Sequence, residues 1–201
     1  MKAQTIIMLV FCMSLSFVAE TQTQRKFIED DSTRNEISAG FGVLTTLDMA
    51  LSLGYLISLP MAWGTDVYRP HYTGALFLGY QNRVSKRVKL SATFAYERIR
   101  LESINTTDSK RGNSYSVLGG VKFKYNKTES SIDLYSRLDV GIMVLENRQN
   151  GANKPDGENI GSTFAFQVSP ICIRFGRKIG GFFEFGFGNL GLINFGINFR
   201  F

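Results

Sequence analysis

An all-β chain, folded as a closed eight-stranded antiparallel transmembrane β-barrel with up-and-down meander topology and preceded by a signal peptide, is the fold class this sequence predicts. Three observations predict it. Apolar residues recur at every second position in segment after segment, most plainly in the closing run LINFGINFRF, Leu192 to Phe201. Short polar turns alternate with long connections along the chain. The chain ends on its most hydrophobic strand, and an apolar terminal edge invites aggregation unless something pairs with it. A mean hydropathy of −0.04 would by itself suggest an ordinary soluble domain, so the patterning decides the class, not the composition.

The first element is a targeting segment. Met1-Lys2 is a short positive start, and Ile6 to Val18 (IIMLVFCMSLSFV) is apolar before polar AETQTQ follows, which matches a secretory signal and is too short for a spanning helix. Residues 1–21 are read as signal peptide, with cleavage after Ala19 or Thr21, residues 22–34 as a polar tail, and residues 35–201 as the barrel. Of the two cysteines, Cys12 would leave with the signal and Cys172 alone would remain, so no internal disulfide holds the mature chain. The formal charge of +6 is spread along the chain among Asp and Glu, with no basic helix or patch, and excludes nucleic acid as a partner.

Eight segments follow. Asn35 to Val43 sets Ile37, Ala39, Phe41 and Val43 against Glu36, Ser38, Gly40 and Gly42; Val88 to Arg100 sets Val88, Leu90, Ala92, Phe94 and Tyr96 against Lys89, Ser91, Thr93, Ala95 and Glu97. Ser114 to Tyr125 and Ile132 to Val144 alternate most clearly, the second with Leu134, Leu138, Val140 and Ile142 against Asp133, Arg137 and Asp139. Tyr72 to Arg83, Thr163 to Arg174 and Gly181 to Gly188 are weaker, and the terminal run completes the set. In Thr163 to Arg174 the apolar parity switches at Pro170, which cannot donate to a ladder, and this predicts a bulge.

The turns VSKR, NKTESS and GRKIG are short, whereas Leu44 to His71, Leu101 to Asn113 and Leu145 to Ser162 are long; only Asn189-Leu190-Gly191 breaks the rule. This arrangement, with Val, Ile, Leu, Phe and Tyr on one face, is what a bacterial outer-membrane barrel requires. In hydrocarbon an unpaired backbone group costs several kcal/mol, so the sheet must close and join the first strand to the last. Aromatics cluster at both strand ends, Tyr80, Phe123, Tyr125, Phe175, Phe199 and Phe201 at the short-turn end and Phe41, Tyr72, Tyr96, Tyr115, Phe164 and Phe187 at the other, as two interfacial girdles would. A soluble sandwich with the same period would carry a strongly charged polar parity, and here that parity is mostly Gly, Ser, Thr and Asn.

The stretch Phe166 to Phe201, FQVSPICIRFGRKIGGFFEFGFGNLGLINFGINFRF, resembles the C-terminal part of small porin-family or OmpX-like outer-membrane β-barrel proteins of Bacteroides-type bacteria; YRPHYTGALFLGY and SKRVKLSATFAYER resemble them more loosely. The resemblance implies an outer-membrane location and an assembly signal read by the barrel-assembly machinery, carried by Ile193, Phe195, Ile197, Phe199 and Phe201. It implies no assigned activity.

An eight-stranded barrel is just wide enough to be filled by its own side chains. The inward parity supplies Glu97, Lys122, Lys124, Asp133, Arg137, Asp139, Glu184 and Arg200, whose mixed signs predict an ion network that plugs the lumen, with Lys122, Asp133, Arg137 and Glu184 at similar heights. The function expected is therefore structural or surface-interacting, by a monomer in contact with membrane lipid and lipopolysaccharide that displays its long connections to an unidentified extracellular partner. A narrow passive pore for ions or small solutes is the second reading. An outer-membrane enzyme using His71, with Asp66 and Tyr72 nearby, is the third, and no marked nucleophile supports it. No catalytic, cofactor or metal site is read from one His and one mature Cys. Within Leu44 to Trp63, Thr45 or Thr46 is placed to cap a helix, Asp48 suits its first turn and Pro60 would end it; the segment is expected over the barrel mouth or in the outer interface.

Overall fold

In the computed structural model, residues 34–58, 68–103, 109–125, 131–150 and 158–201 are described. The signal peptide, the tail up to residue 33, residues 59–67 with Pro60 and Asp66, and residues 104–108, 126–130 and 151–157 lie outside the described residues. Strands β1 (Asn35–Val43), β2 (Tyr68–Arg83), β3 (Val88–Ser103), β4 (Ser109–Lys124), β5 (Ile132–Asn150), β6 (Glu158–Phe175), β7 (Ile179–Gly188) and β8 (Ile193–Arg200) pair in sequence order into one closed barrel, and helix α1 (Thr46–Ser58) follows β1.

Closure is made by β1 and β8, antiparallel, with Ile37 opposite Phe199, Ala39 opposite Ile197 and Phe41 opposite Phe195. The seam ends in a reciprocal backbone pair, Asn35 N–H to Phe201 O and Phe201 N–H to Asn35 O, each 2.9 Å. The terminal strand therefore has both ladders occupied, β7 on one side and β1 on the other.

Polarity is the reverse of that in a soluble barrel. Phe164, Ile171 and Ile197 are each 66% exposed, while Arg137 is 4% exposed and Asp139 and Glu184 are wholly buried. Water on the outside would make that arrangement cost free energy at both faces, whereas acyl chains outside and a packed lumen inside satisfy both.

The strands run further at the long-connection end than the alternation predicts. Much of Leu101 to Asn113 and Leu145 to Ser162 is paired hairpin arm, with Glu102 opposite Ser109 and Arg148 opposite Glu158, not loop. The reason is that a two-stranded arm standing beyond the barrel wall needs backbone pairing but no apolar side, so its polarity period vanishes while its ladder continues. At Pro170 the register does shift, between Val168 and Ile171 against β7 and between Tyr135 and Arg137 against β5. The extra residue turns Ser169 and Cys172 both inward. A second irregularity lies between Tyr72 and Ala75, where Gly74 takes a positive φ of 75°.

The interior is not polar throughout, as an unbroken polar parity would have it. Phe77, Ala95, Leu118, Met143, Ala165, Phe182 and Leu190 form one buried apolar cluster, against which Leu47 of α1 and Leu145 pack. Leu190 belongs to the short Asn189-Leu190-Gly191 link, which tucks into the lumen: Leu190 N–H donates to Gln167 Oε1 at 3.0 Å and Gln167 Nε2 donates to Gly191 O at 3.1 Å. The rings of Phe77 and Phe182 meet at 6.1 Å beside Gly40, where a Cβ would lie 2.5 Å from one ring and 2.9 Å from the other. Gly40→Val should therefore lower barrel stability by about 1–3 kcal/mol through overpacking. Gly119, where an added Cβ meets nothing, should accept Ala with little change. Urea unfolding of the refolded protein, followed by tryptophan fluorescence and by heat-dependent gel mobility, checks both.

Candidate functional site

From the short-turn end upward, the lumen is built in layers because the inward positions of neighbouring strands fall at matching heights. Lowest are Glu36 of β1, Lys89 of β3, Lys124 of β4, Asp133 of β5, Arg174 of β6 and Arg200 of β8. Lys89 Nζ lies 2.7 Å from Glu36 Oε2, Arg200 Nε 3.0 Å from the same oxygen, and Arg200 Nη2 2.6 Å from Asp133 Oδ2. Lys124 Nζ lies 2.7 Å from Asp133 Oδ1. Arg174 stands 3.8 Å from Glu36 and gives its N–H groups to Asn198 Oδ1 and to the carbonyls of Gly176 and Arg177. Asn198 in turn donates to Glu36 Oε1 at 2.7 Å.

One step higher, Arg137 is the hub. Its Nε pairs with Asp139 Oδ2, Nη1 lies 3.1 Å from Glu184 Oε2, and Nη2 donates to Thr93 Oγ1 at 2.7 Å. Glu184 Oε1 also receives the Tyr135 hydroxyl at 2.7 Å and Lys122 Nζ at 3.2 Å, and Ser91 Oγ donates to Asp139 Oδ1 at 2.7 Å. Lys122 Nζ sits 4.8 Å from the centre of the Tyr135 ring, so its charge also meets a π face. The guanidinium fork spans two carboxylates on different strands, β5 and β7, and so fixes their relative height.

Above the apolar cluster lies the helix entrance. Thr45 and Asp48 cap α1 reciprocally: Asp48 N–H donates to Thr45 Oγ1 and Thr45 N–H donates to Asp48 Oδ2, each 3.1 Å. Thr45 Oγ1 donates to Glu97 Oε1 at 3.0 Å, which ties the helix start to β3, and both Asp48 and Glu97 are buried. Ser52 and Tyr72 hydroxyls meet at 2.7 Å and tie the next turn to β2. Leu53 points outward, so the helix covers the mouth by its first turns.

The residues singled out from sequence thus divide into three groups. Lys122, Arg137, Asp139 and Glu184 share one cluster; Asp133, Lys124 and Arg200 share the one below it; Glu97 stands apart with Thr45. Asp133 is therefore not level with Lys122, Arg137 and Glu184, because it is the second residue of β5, and Arg137 lies four residues further up the same strand. Glu36, Lys89, Tyr135 and Arg174 join the network without being among the residues the sequence singles out, although all four lie on the inward parity once the switch at Pro170 is applied. Of the third reading, His71 is exposed on β2, the Tyr72 hydroxyl is engaged by Ser52, and Asp66 lies outside the described residues. Among the described residues no cluster of His, Cys, Asp and Glu suits a metal ion.

Of the terminal set, Phe195, Ile197, Phe199 and Phe201 are exposed on the outer face and Ile193 is partly covered.

No protein-family model and no curated protein sequence matches the chain. Solved structures similar to it include Ail, the attachment invasion locus protein of Yersinia pestis, in complex with the heparin analogue sucrose octasulfate, at 13% identity and a TM-score of 0.47, covering 84% of this chain and 97% of that one. The same protein without that ligand is similar at 14% identity and 0.45, covering 84% and 97%. The N-terminal β-barrel domain of Pseudomonas aeruginosa OprF is similar at 9% identity and 0.43, covering 84% and 98%.

Arg137→Met leaves Asp139 and Glu184 buried with a cation removed from between them, and should cost about 3–5 kcal/mol of barrel stability. Adding Asp139→Leu to the same chain removes the orphaned charge and should recover part of that loss. A double-mutant cycle in urea, with coupling beyond additivity, is the measurement.

Proposed function

We propose that this chain is a small outer-membrane β-barrel of the bacterial envelope whose plugged lumen makes it a rigid post for surface-exposed hairpins, with a structural or surface-interaction role and not a transport role. The observation that carries this reading is the reversed polarity: large apolar side chains ring the outside while lysines, arginines and carboxylates are buried inside. A wall of that kind is stable only in lipid.

Two layers support a plug over a pore. The ion clusters cross the lumen from β1 to β5 and, through Arg137, from β7 to β3, and an apolar layer with Phe77, Leu118, Phe182 and Leu190 lies above them. Conduction would need a continuous polar path wide enough for a hydrated ion, and the apolar layer stands across it. Helix α1 closes the same end with its buried cap. The extended arms of β3 with β4 and of β5 with β6 are the parts that an extracellular partner would meet, together with lipopolysaccharide around the wall.

Residues 1–21 serve in this reading as the export signal. The outward terminal set Ile193, Phe195, Ile197, Phe199 and Phe201 serves as the signal to the assembly machinery, and then as one wall of the seam with β1. A monomer is the proposed working unit, since the seam of β1 with β8 leaves no strand edge for a second copy to extend.

Reconstitution in planar bilayers tests the proposal directly: purified, folded protein should give no stable single-channel steps at any voltage that the bilayer tolerates. Reproducible steps of fixed amplitude would overturn the plug. Removal of Phe201 should leave exported but unassembled chain in the periplasm of an expressing bacterium, read as loss of the heat-modifiable folded band from outer-membrane fractions. Normal assembly without Phe201 would remove the terminal signal from the account.

A further inference from the structure

We propose that Asp48 at the start of α1 and Glu97 on β3 hold one proton between them, and that this proton latches the helix over the mouth of the barrel, so that its loss in alkaline solution frees the lid. The inference rests on the plugged barrel and adds a release to it.

The hydrogen-bond inventory at the helix entrance points to the proton. Thr45 N–H donates to Asp48 Oδ2 at 3.1 Å, and Thr45 Oγ1 donates to Glu97 Oε1 at 3.0 Å. Asp48 Oδ1 receives no bond from any described group, although Asp48 is only 3% exposed. Glu97 is 4% exposed, and its carboxyl stands within hydrogen-bonding reach of that of Asp48. Two carboxyl groups at that distance make a bond only when one of them carries a hydrogen. Two buried negative charges so close would also repel, and a carboxyl pair of this kind is relieved by sharing one proton.

Nothing else neutralises the pair. Among the described residues neither carboxyl meets a lysine or an arginine. Arg98, next along β3, is exposed on the outer side, Ser114 stands opposite Glu97 on β4, and Lys110 is four residues further along that strand. The Asn189-Leu190-Gly191 link carries no charge. From β2 the facing titratable group is Tyr72, whose hydroxyl meets that of Ser52 at 2.7 Å. A hard metal ion is a poorer occupant than a proton, because it takes about six oxygen ligands and the Thr45 hydroxyl is already engaged as both donor and acceptor.

The same two side chains cap the helix and tie it down. Asp48 N–H donates to Thr45 Oγ1 at 3.1 Å, and that hydroxyl is the one bonded to Glu97. Leu47, between Thr45 and Asp48 in α1, packs on the apolar cluster that closes the lumen. With the proton present, cap, tie and Leu47 seat the helix together. When hydroxide removes it, two carboxylates repel across the contact that holds the first turn, and the Ser52 to Tyr72 bond is left to hold the next.

A nitroxide on Gly54→Cys tests this. Gly54 is exposed on α1 and an added Cβ there meets nothing, so the label leaves the packing alone, and Cys172 is buried. The mature protein, folded in zwitterionic detergent, is taken from neutral to alkaline pH at constant ionic strength, with the heat-modifiable band followed throughout. The label should pass from an immobilised to a mobile line shape in one reversible step while the folded band persists. Glu97→Gln puts an N–H donor in place of the proton, keeps an acceptor for Thr45 and leaves Tyr72 as it is; in that variant the label should stay immobilised over the whole range. Should Glu97→Gln fail to fold, Asp48→Asn makes the same exchange from the helix side. Carbon-13 spectra of the unaltered chain read the pair directly, as two carboxyl signals that move together in a step on the alkaline side of neutral.

A label whose mobility does not change with pH, or one released alike in Glu97→Gln, would overturn the latch. So would two carboxyl signals that both finish moving in the ordinary carboxyl range. A lid held down in alkali by sodium or calcium, and released when a bulky organic cation replaces them, would make the pair a metal site and overturn the shared proton. Bilayer recordings separate the two failures: conductance at neutral pH would refute the plug, whereas an unresponsive lid on a non-conducting barrel would refute the latch alone.

Discussion

The structure depends throughout on backbone closure of a wall whose outer side chains are apolar. A strand whose outer side chains are Phe, Ile, Leu and Val cannot leave its N–H and C=O groups to the solvent, because the solvent that suits those side chains is lipid. The pairing of β1 with β8 removes the last open edge, and the reciprocal bonds between Asn35 and Phe201 finish it. Closure with eight strands also sets the diameter, and the diameter sets how much must be packed inside.

Filling that interior is a different problem from filling a soluble core. The wall is sealed by its ladder, so the lumen contributes register and rigidity more than area removed from water. Arg137 shows how this is done: one planar fork reaches Asp139 on its own strand, Glu184 on β7 and Thr93 on β3, and so holds three strands at one height. A buried ion pair is weak evidence of net stability but strong evidence of a specified arrangement, since any slip of register separates charges that have nowhere else to go. The apolar layer of Phe77, Phe182, Leu118 and Leu190 adds the dispersion and hydrophobic contribution that the charges do not.

The two ends of the lumen are unlike. At the long-connection end the helix cap places Asp48 and Glu97 together under α1. At the short-turn end four cations surround two carboxylates. The interior thus changes along its axis, from two buried carboxyl groups under the helix through an apolar layer and a balanced ion cluster to a mixed ion cluster towards the short turns.

Much of the wall was legible in the sequence, because the outer face answers only to lipid and each residue declares its side by parity alone. Leu134, Leu138, Val140 and Ile142 read as outward and are outward, and Pro170 marked its bulge because an imide nitrogen has no other reason to sit there. Thr45 and Asp48 likewise announced the start of a helix through local capping chemistry. What the tertiary structure alone decided was the partnership across the lumen. Parity says that a side chain points inward, but the stagger and the bulges between Tyr72 and Ala75 and at Pro170 decide which inward residues share a height. That is why Asp133 sits with Arg200 and not with Arg137, why Arg174 reaches Asn198 and Glu36, and why Phe77 and Phe182 fill the middle of a lumen whose neighbouring positions are charged. The hairpin arms at the long-connection end were equally silent, since their sequences lack the alternation by which a strand is recognised.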